Sequence, residues 1–495
     1  MKKYFLIIDE GTTGTRAVIY DKQFRAVSYT YTEITQYMPK EDIVEHDFEE
    51  IYEKSVAVCR EAMQKAGILP EEIIAMGITN QRNTQCVWDR KTGKPLLKGI
   101  VWQDTRTRKL LDEMRRMDCI RMHEVRHCGR RYVVNSSPVT LRWIMDHRPD
   151  IAEKMTAGEA AFGSVDTWLV WKFTGGRVHA MTYSNASSLG IYDMIEDCWC
   201  APVFEGTGVP MSVLPELYEE VSDFGTTDVF GAPIPITAVI GDQQASMFAQ
   251  NCRSVGTVKC TNGTGTFMDI NIGSKYVPPQ TELAAMVAWS IHGQKTYLYE
   301  RMLPVAGSAV QWLRDGLGVI KDAAESYDMA MSVPDTGGVL FVTSMSGVYA
   351  PAFDPYSRGT IFGIHKGTKK EHIVRATIEG IAFSLADVMD VVADQTGIAI
   401  KELKIDGGAS KNDLLAQSFA DFIRCKVVRP QESAGLTAAG AARLAAVGAG
   451  IYTLETLPET ETETDKFYPM IDEETAKRKL SRYRDAVERA KAWMK

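Results

Sequence analysis

Tyr4 through Ile8 form an unbroken apolar run that stops at Asp9 and gives way to small polar residues, Gly11-Thr12-Thr13-Gly14-Thr15. Apolar residues resume at 17–20. A continuous apolar run reads as a strand covered on both faces, and a glycine-threonine turn between two such runs makes a β-hairpin. The pattern returns half a chain later, where residues 257–260 lead into Gly263-Thr264-Gly265-Thr266 and 267–272 come back. This spacing suggests an internal repeat. Buried strands are also read at 73–78, running into Thr79-Asn80-Gln81-Arg82-Asn83, and at 234–240, breaking off at Gly241-Asp242. A further strand-to-polar junction falls at 99–102. Helical spacing covers 48–66 (ending at Gly67), 307–317 and 372–393, and the small-residue tract 437–450 reads as a tightly packed helix. Polar groups at the carboxyl ends of strands are the arrangement of an open α/β sheet.

A chain of 495 residues exceeds one ordinary core, and the simplest cut gives domains 1–250 and 251–495. Net charge is −8, which argues against nucleic acid or an anionic membrane as main partner. The apolar run at 4–8 is too short for a signal peptide, and no stretch reaches the ~18 apolar residues of a membrane span. The nine cysteines are scattered; Cys198 and Cys200 lack partners for a zinc site. Reduced thiols in the cytoplasm are the expectation.

Gly-Thr turns let backbone amides and hydroxyls approach phosphate oxygens. Asp9 can hold Mg²⁺, and Arg16 can neutralise phosphate charge. Either turn alone is also explained as a plain hairpin. Two of them, with a third glycine site at Asp406-Gly407-Gly408-Ala409-Ser410-Lys411-Asn412, point to ATP held between two lobes. Gly408 would admit an adenosine, and Asn412 opens a helix where its side chain can meet the nucleotide. Asp242 is placed to take the proton of a hydroxyl attacking the γ-phosphate; it also suits the N-cap of a helix beginning near Gln243. Arg82 can grip vicinal hydroxyls, and Trp102 with Phe267 can pack a small polyol's carbons. A surface arginine and core aromatics are the alternatives.

Together with the spaced pattern Gly359-x-Ile361-x-Gly363-Ile364 followed by His372-Ile373-x-x-Ala376-Thr377-Ile378-Glu379, these residues resemble the FGGY carbohydrate kinases. Segments 5–21, 77–82, 99–103, 163–171, 240–249, 263–268, 306–315, 350–364 and 406–412 carry the resemblance nearly end to end. It implies a two-domain actin/Hsp70-like (ribonuclease H-like) α/β fold with a central ATP cleft. The implied activity is ATP- and Mg²⁺-dependent phosphorylation of a primary hydroxyl of a small polyol or sugar, glycerol first. Thr12, Thr13, Arg16, Thr264 and Gly265 are then phosphate ligands, and Gly307, Gln311, Gly408 and Asn412 nucleotide contacts. Asp9 goes with the metal, Asp242 is the base, and Arg82, Trp102, Gln243 and Phe267 line the polyol pocket. A homodimer or homotetramer is expected.

Four positions depart from the family pattern: Glu10 stands for Gln, Asn83 for Glu, Asn135 for Tyr and Thr140 for Lys. Losing the carboxylate and the phenol at 83 and 135 would each cost glycerol about 1–3 kcal/mol and leave Arg82 less neutralised, with Tyr132 a candidate replacement phenol. A four- or five-carbon or acidic substrate is therefore the alternative. A non-catalytic ATP-binding regulatory protein is the remote one.

Overall fold

The computed structural model describes residues 2–280, 282–348, 353–431, 435–458 and 463–495; residues 350–352 of the segment 350–364 lie outside them. Two sheets organise the chain. The first has six strands in the spatial order Thr226–Thr227, Ile234–Gly241, Ile73–Asn80, Tyr4–Glu10, Gly14–Tyr20 and Ala26–Glu33. The second has seven, in the order Ala284–Ile291, Gln294–Leu303, Thr266–Gly273, Thr257–Asn262, Glu402–Asp406, Lys426–Pro430 and Thr464–Phe467. Each is built on an antiparallel hairpin, with a third antiparallel strand on one side and two parallel strands on the other. The repeated turn in the sequence is thus the local sign of a repeated sheet.

The apolar run at the start of the chain is unbroken because both faces of its strand are covered. Leu6 and Ile8 pack with Phe48, Ile51 and Cys59 of the helix Phe48–Ala66. Phe5 and Ile7 pack with Ala438, Ala441 and Ala445 of the helix Leu436–Gly448. Asp47 opens the first of these helices by accepting the amides of Glu49 and Glu50, and Gly67, at φ 65°, ends it.

Leu436–Gly448 is alanine-rich because it is squeezed between the first sheet and the helix Asp242–Ala249. A Cβ on Gly440 would lie 1.9 Å from the carbonyl oxygen of Ala245, and one on Gly448 would lie 2.3 Å from that of Thr237. This contact fixes the helix that begins with Asp242. Asp242 is its first residue and Gly241 its cap, so the N-cap reading of Asp242 is corrected. The junction expected at 99–102 is a strand only over Gly99–Ile100, and the helix expected at 372–393 extends over Lys370–Thr396.

Candidate active site

A cavity of about 510 Å³ opens at the ends of Ile73–Asn80 and Ile234–Gly241, against the strands Thr266–Gly273 and Gln294–Leu303. Of the residues expected at a polyol site, Arg82, Asn83, Trp102, Asp242, Gln243 and Phe267 line it, as does Thr12 from the first turn. Trp102 is clamped from two sides: its indole Nε1 donates to Thr12 Oγ1 at 2.9 Å, and its carbonyl accepts from Asn135 Nδ2 at 2.6 Å. Because the Thr12 hydroxyl receives that bond, its own proton is left to donate to a ligand. Asn83 sits at φ 63°, a backbone state asparagine tolerates better than most residues, and its buried Oδ1 has no partner.

Asp242 and Arg82 make the electrostatic centre. Asp242 Oδ1 accepts the amide of Gln243 at 2.7 Å and lies 3.4 Å from Arg82 Nε. Burial raises its pKa, against the pull of Arg82, as a base for a hydroxyl proton requires. Arg82 Nη2 also donates to Glu300 Oε2 at 2.5 Å. Behind them Asp269 Oδ2 lies 3.3 Å from Lys259 Nζ, and that ammonium also donates to Gln243 Oε1. Asp269 is pushed upward, by burial first and with Glu300 adding to it against the pull of Lys259.

Three expectations are corrected here. Arg82 is not left short of negative charge: despite burial, Glu300 and then Asp242 hold its proton firmly. Glu300, on a strand of the second sheet, takes over as carboxylate partner where Asn83 is neutral. Asn135 turns its side chain to the Trp102 carbonyl and does not line the cavity. Tyr132 is fully buried, with its hydroxyl 3.7 Å from Cys128 Sγ, and replaces no phenol.

Of the residues expected at a nucleotide, those of the second glycine turn and Gly307 are tied together through the backbone. Ala306 and Ser308 donate backbone amides to the Thr264 carbonyl, and Gly307 to that of Gly263. A Cβ on Gly307 would stand 2.5 Å from Gly263 O, and one on Gly265 2.6 Å from Leu303 O. Asn262 Nδ2 donates to Ser410 Oγ at 3.0 Å, drawing in the third glycine turn. A Cβ on Gly408 would meet nothing within 4 Å, so that face is open. Asn412 opens the helix Asp413–Ile423 as expected, its Oδ1 accepting the amide of Leu415 and its Nδ2 donating to Ser326 Oγ, which uses one of the two Nδ2 hydrogens. Gln311 is exposed on the helix Gly307–Asp315, and Thr13 is exposed on the first turn.

Asp9 lies 3.3 Å from Arg16 Nη1. Its pKa rises to about 6, chiefly by burial, with Asp242 adding repulsion against Arg16. Two carboxylates that disfavour each other's charge fit a cation. Among the described residues no group of three or more acidic, histidine or cysteine side chains could hold one unaided. Mg²⁺ typically takes only one or two carboxylates and completes its shell with phosphate oxygens and water.

Glu10 is fully buried: Ser55 Oγ donates weakly to Oε2 at 3.4 Å, and Oε1 has no partner. Burial, reinforced by Asp9 and opposed by Thr15 and Ser55, pushes its pKa to about 8. Protonated and neutral, it stands in for an amide. A carboxyl that holds its proton more tightly folded than unfolded costs stability as pH climbs from about 4.5 to about 8, and the cost is constant above that. Glu10→Gln is therefore expected to unfold like the parent near pH 4.5. Above pH 8 it should be more stable by a few kcal/mol, read from denaturation midpoints across pH; parallel pH curves for the two proteins would refute the assignment.

The charged residues outside the expected set that line the cavity are Glu300, Arg130, Arg131, Glu282 and Arg301. Their only sequence signal was charge interrupting apolar strand pattern at Glu300-Arg301, and a doubled arginine before the helix Ser137–His147.

Residues 4–249 match the N-terminal domain and residues 258–449 the C-terminal domain of the FGGY family of carbohydrate kinases. The chain is 40% identical to "Glycerol kinase 2" of Thermotoga maritima over the whole of both chains. It is 41% identical to "Glycerol kinase" of Carboxydothermus hydrogenoformans over 99% of each. Among solved structures, Plasmodium falciparum glycerol kinase with ADP superposes with a TM-score of 0.91 at 32% identity, covering 98% of both chains. A ligand-bound xylulose kinase from Lactobacillus acidophilus, 18% identical with a TM-score of 0.85, shares the fold, matching 99% of this chain and 97% of that one. The chain belongs to the FGGY family of carbohydrate kinases.

Proposed function

We propose that the protein transfers the γ-phosphoryl group of ATP to a primary hydroxyl of glycerol, giving glycerol 3-phosphate. The observation that carries the chemistry is the Asp242 carboxylate: it faces the cavity, has its proton affinity raised, and is held by Arg82. Asp242 takes the hydroxyl proton as the oxygen attacks phosphorus. Asn83 Oδ1 and Arg82 position the hydroxyls, while Trp102 and Phe267 cover the carbons. Thr12, Thr13, Arg16, Thr264 and Gly265 hold phosphates, and Gly307 and Gly408 leave room for the adenosine beside Gln311 and Asn412. Asp9 is the residue for Mg²⁺, which neutralises phosphate charge when bound. Lobes 1–250 and 251–495 close over the substrates to exclude water. We place the enzyme in the cytoplasm, as a homodimer or homotetramer.

Supplying glycerol, ATP and Mg²⁺ to the purified chain is expected to release ADP and yield glycerol 3-phosphate, seen by ³¹P NMR. Tight ATP binding with no turnover of glycerol or any other polyol would instead favour the regulatory reading.

A further inference from the structure

The cavity carries more positive charge than a neutral polyol uses. Four arginines line it against three carboxylates. Glu300 and Asp242 are committed to Arg82, and Asp242 must stay available for a proton. Arg131 Nε lies 3.4 Å from Glu282 Oε1, with the two side chains 65% and 36% exposed, so that pair neutralises little. Arg301 donates to the Glu282 backbone carbonyl.

Arg130 is the unmatched one. Its Nη1 donates to the Ser188 carbonyl at 2.8 Å, its buried Nε has no partner, and it forms no ion pair among the described residues. Burial lowers its hold on its proton; Glu300 raises it and Arg82 lowers it again. Glu300 is already paired with Arg82, which leaves Arg130 without a carboxylate within ion-pair distance among the described residues, and Asn83 in the same cavity is neutral. A buried cation short of a partner is costly, and an oxyanion matches a guanidinium in both charge and bidentate geometry.

From this juxtaposition we infer that the cavity takes a polyol bearing an oxyanion, carboxylate or phosphate, gripped by Arg130 with Arg131 at the rim. The inference rests on the kinase reading above. The reaction keeps its balance: a primary hydroxyl oxygen bonds to the γ-phosphorus of ATP, the bond from that phosphorus to the β-phosphate oxygen breaks, ADP leaves, and Asp242 receives the proton. The oxyanion is unchanged.

The test compares kcat/KM on the full chain with ATP and Mg²⁺ within matched pairs. Glycerate against glycerol and erythronate against erythritol form the carboxylate arm. Erythritol 4-phosphate against erythritol forms the phosphate arm. At least one anionic compound is expected to exceed its neutral counterpart, and the arm in which it does so names the group. Arg130→Met should lower that anionic-to-neutral ratio by about 10- to 100-fold, the worth of one hydrogen bond to a charged group, and Arg130→Lys should restore part of it. Should Arg130→Met not fold, Arg131→Ala at the exposed rim is expected to lower the same ratio. Glycerol turned over with every anionic compound behind its neutral counterpart overturns this inference alone. No turnover of any compound overturns the kinase reading, and this inference with it.

Discussion

Asp242→Asn is expected to lower kcat by about 10²–10⁴-fold, the usual worth of a positioned general base, while leaving ATP affinity within a few-fold of the parent. The amide keeps the shape and can still accept the Gln243 amide that the carboxylate accepts at 2.7 Å, so the helix start survives and the loss reports proton transfer. Burial pushes the carboxyl above its ordinary pKa, so the acid limb of the parent's kcat/KM profile lies above the usual carboxylate range. The variant should lose that limb. Steady-state kinetics across pH with isothermal titration of ATP makes the check, and a rate near the parent's would remove Asp242 from the role.

The sequence made Asp242 legible because its setting is local: an apolar strand, one glycine, then a carboxylate. The two hairpins were legible for the same reason, since a glycine-threonine turn between apolar runs specifies itself within a dozen residues. Charge partners were not. Glu300 stands 218 residues from Arg82 in the chain, and nothing near Arg82 announces it. Reading Asn83 as a lost charge was sound at that position and misleading for the site, because the second sheet supplies the carboxylate. Tyr132 shows the converse: near the right place in sequence, it turns into a buried cluster with Cys128. The helix Leu436–Gly448 was legible as tightly packed, yet its alanines do not say that they cover the sheet built by the first residues of the chain.

Glu300→Gln is the second large effect, because it breaks a pair whose arginine side chain is only 9% exposed and whose carboxylate is 15% exposed. Removing one member of a buried pair strands the other, at a cost of about 3 kcal/mol, visible as a lower denaturation midpoint. Catalysis should also change, in a direction a purely structural role does not predict. Arg82 now lies 3.4 Å from Asp242 Oδ1 while Glu300 holds its other edge. With Glu300 neutral, the guanidinium has Asp242 as its remaining carboxylate within ion-pair distance among the described residues, and draws onto it. A cation closing on a carboxylate lowers its pKa, so the acid limb of kcat/KM should move down by about one pH unit. The same contact makes Asp242 a poorer proton acceptor, and kcat at the plateau should fall. Denaturation together with a pH–rate profile separates the two effects: a lower midpoint with an unmoved limb would leave Glu300 as scaffolding only, whereas a shifted limb makes it the residue that keeps Arg82 from quenching the base.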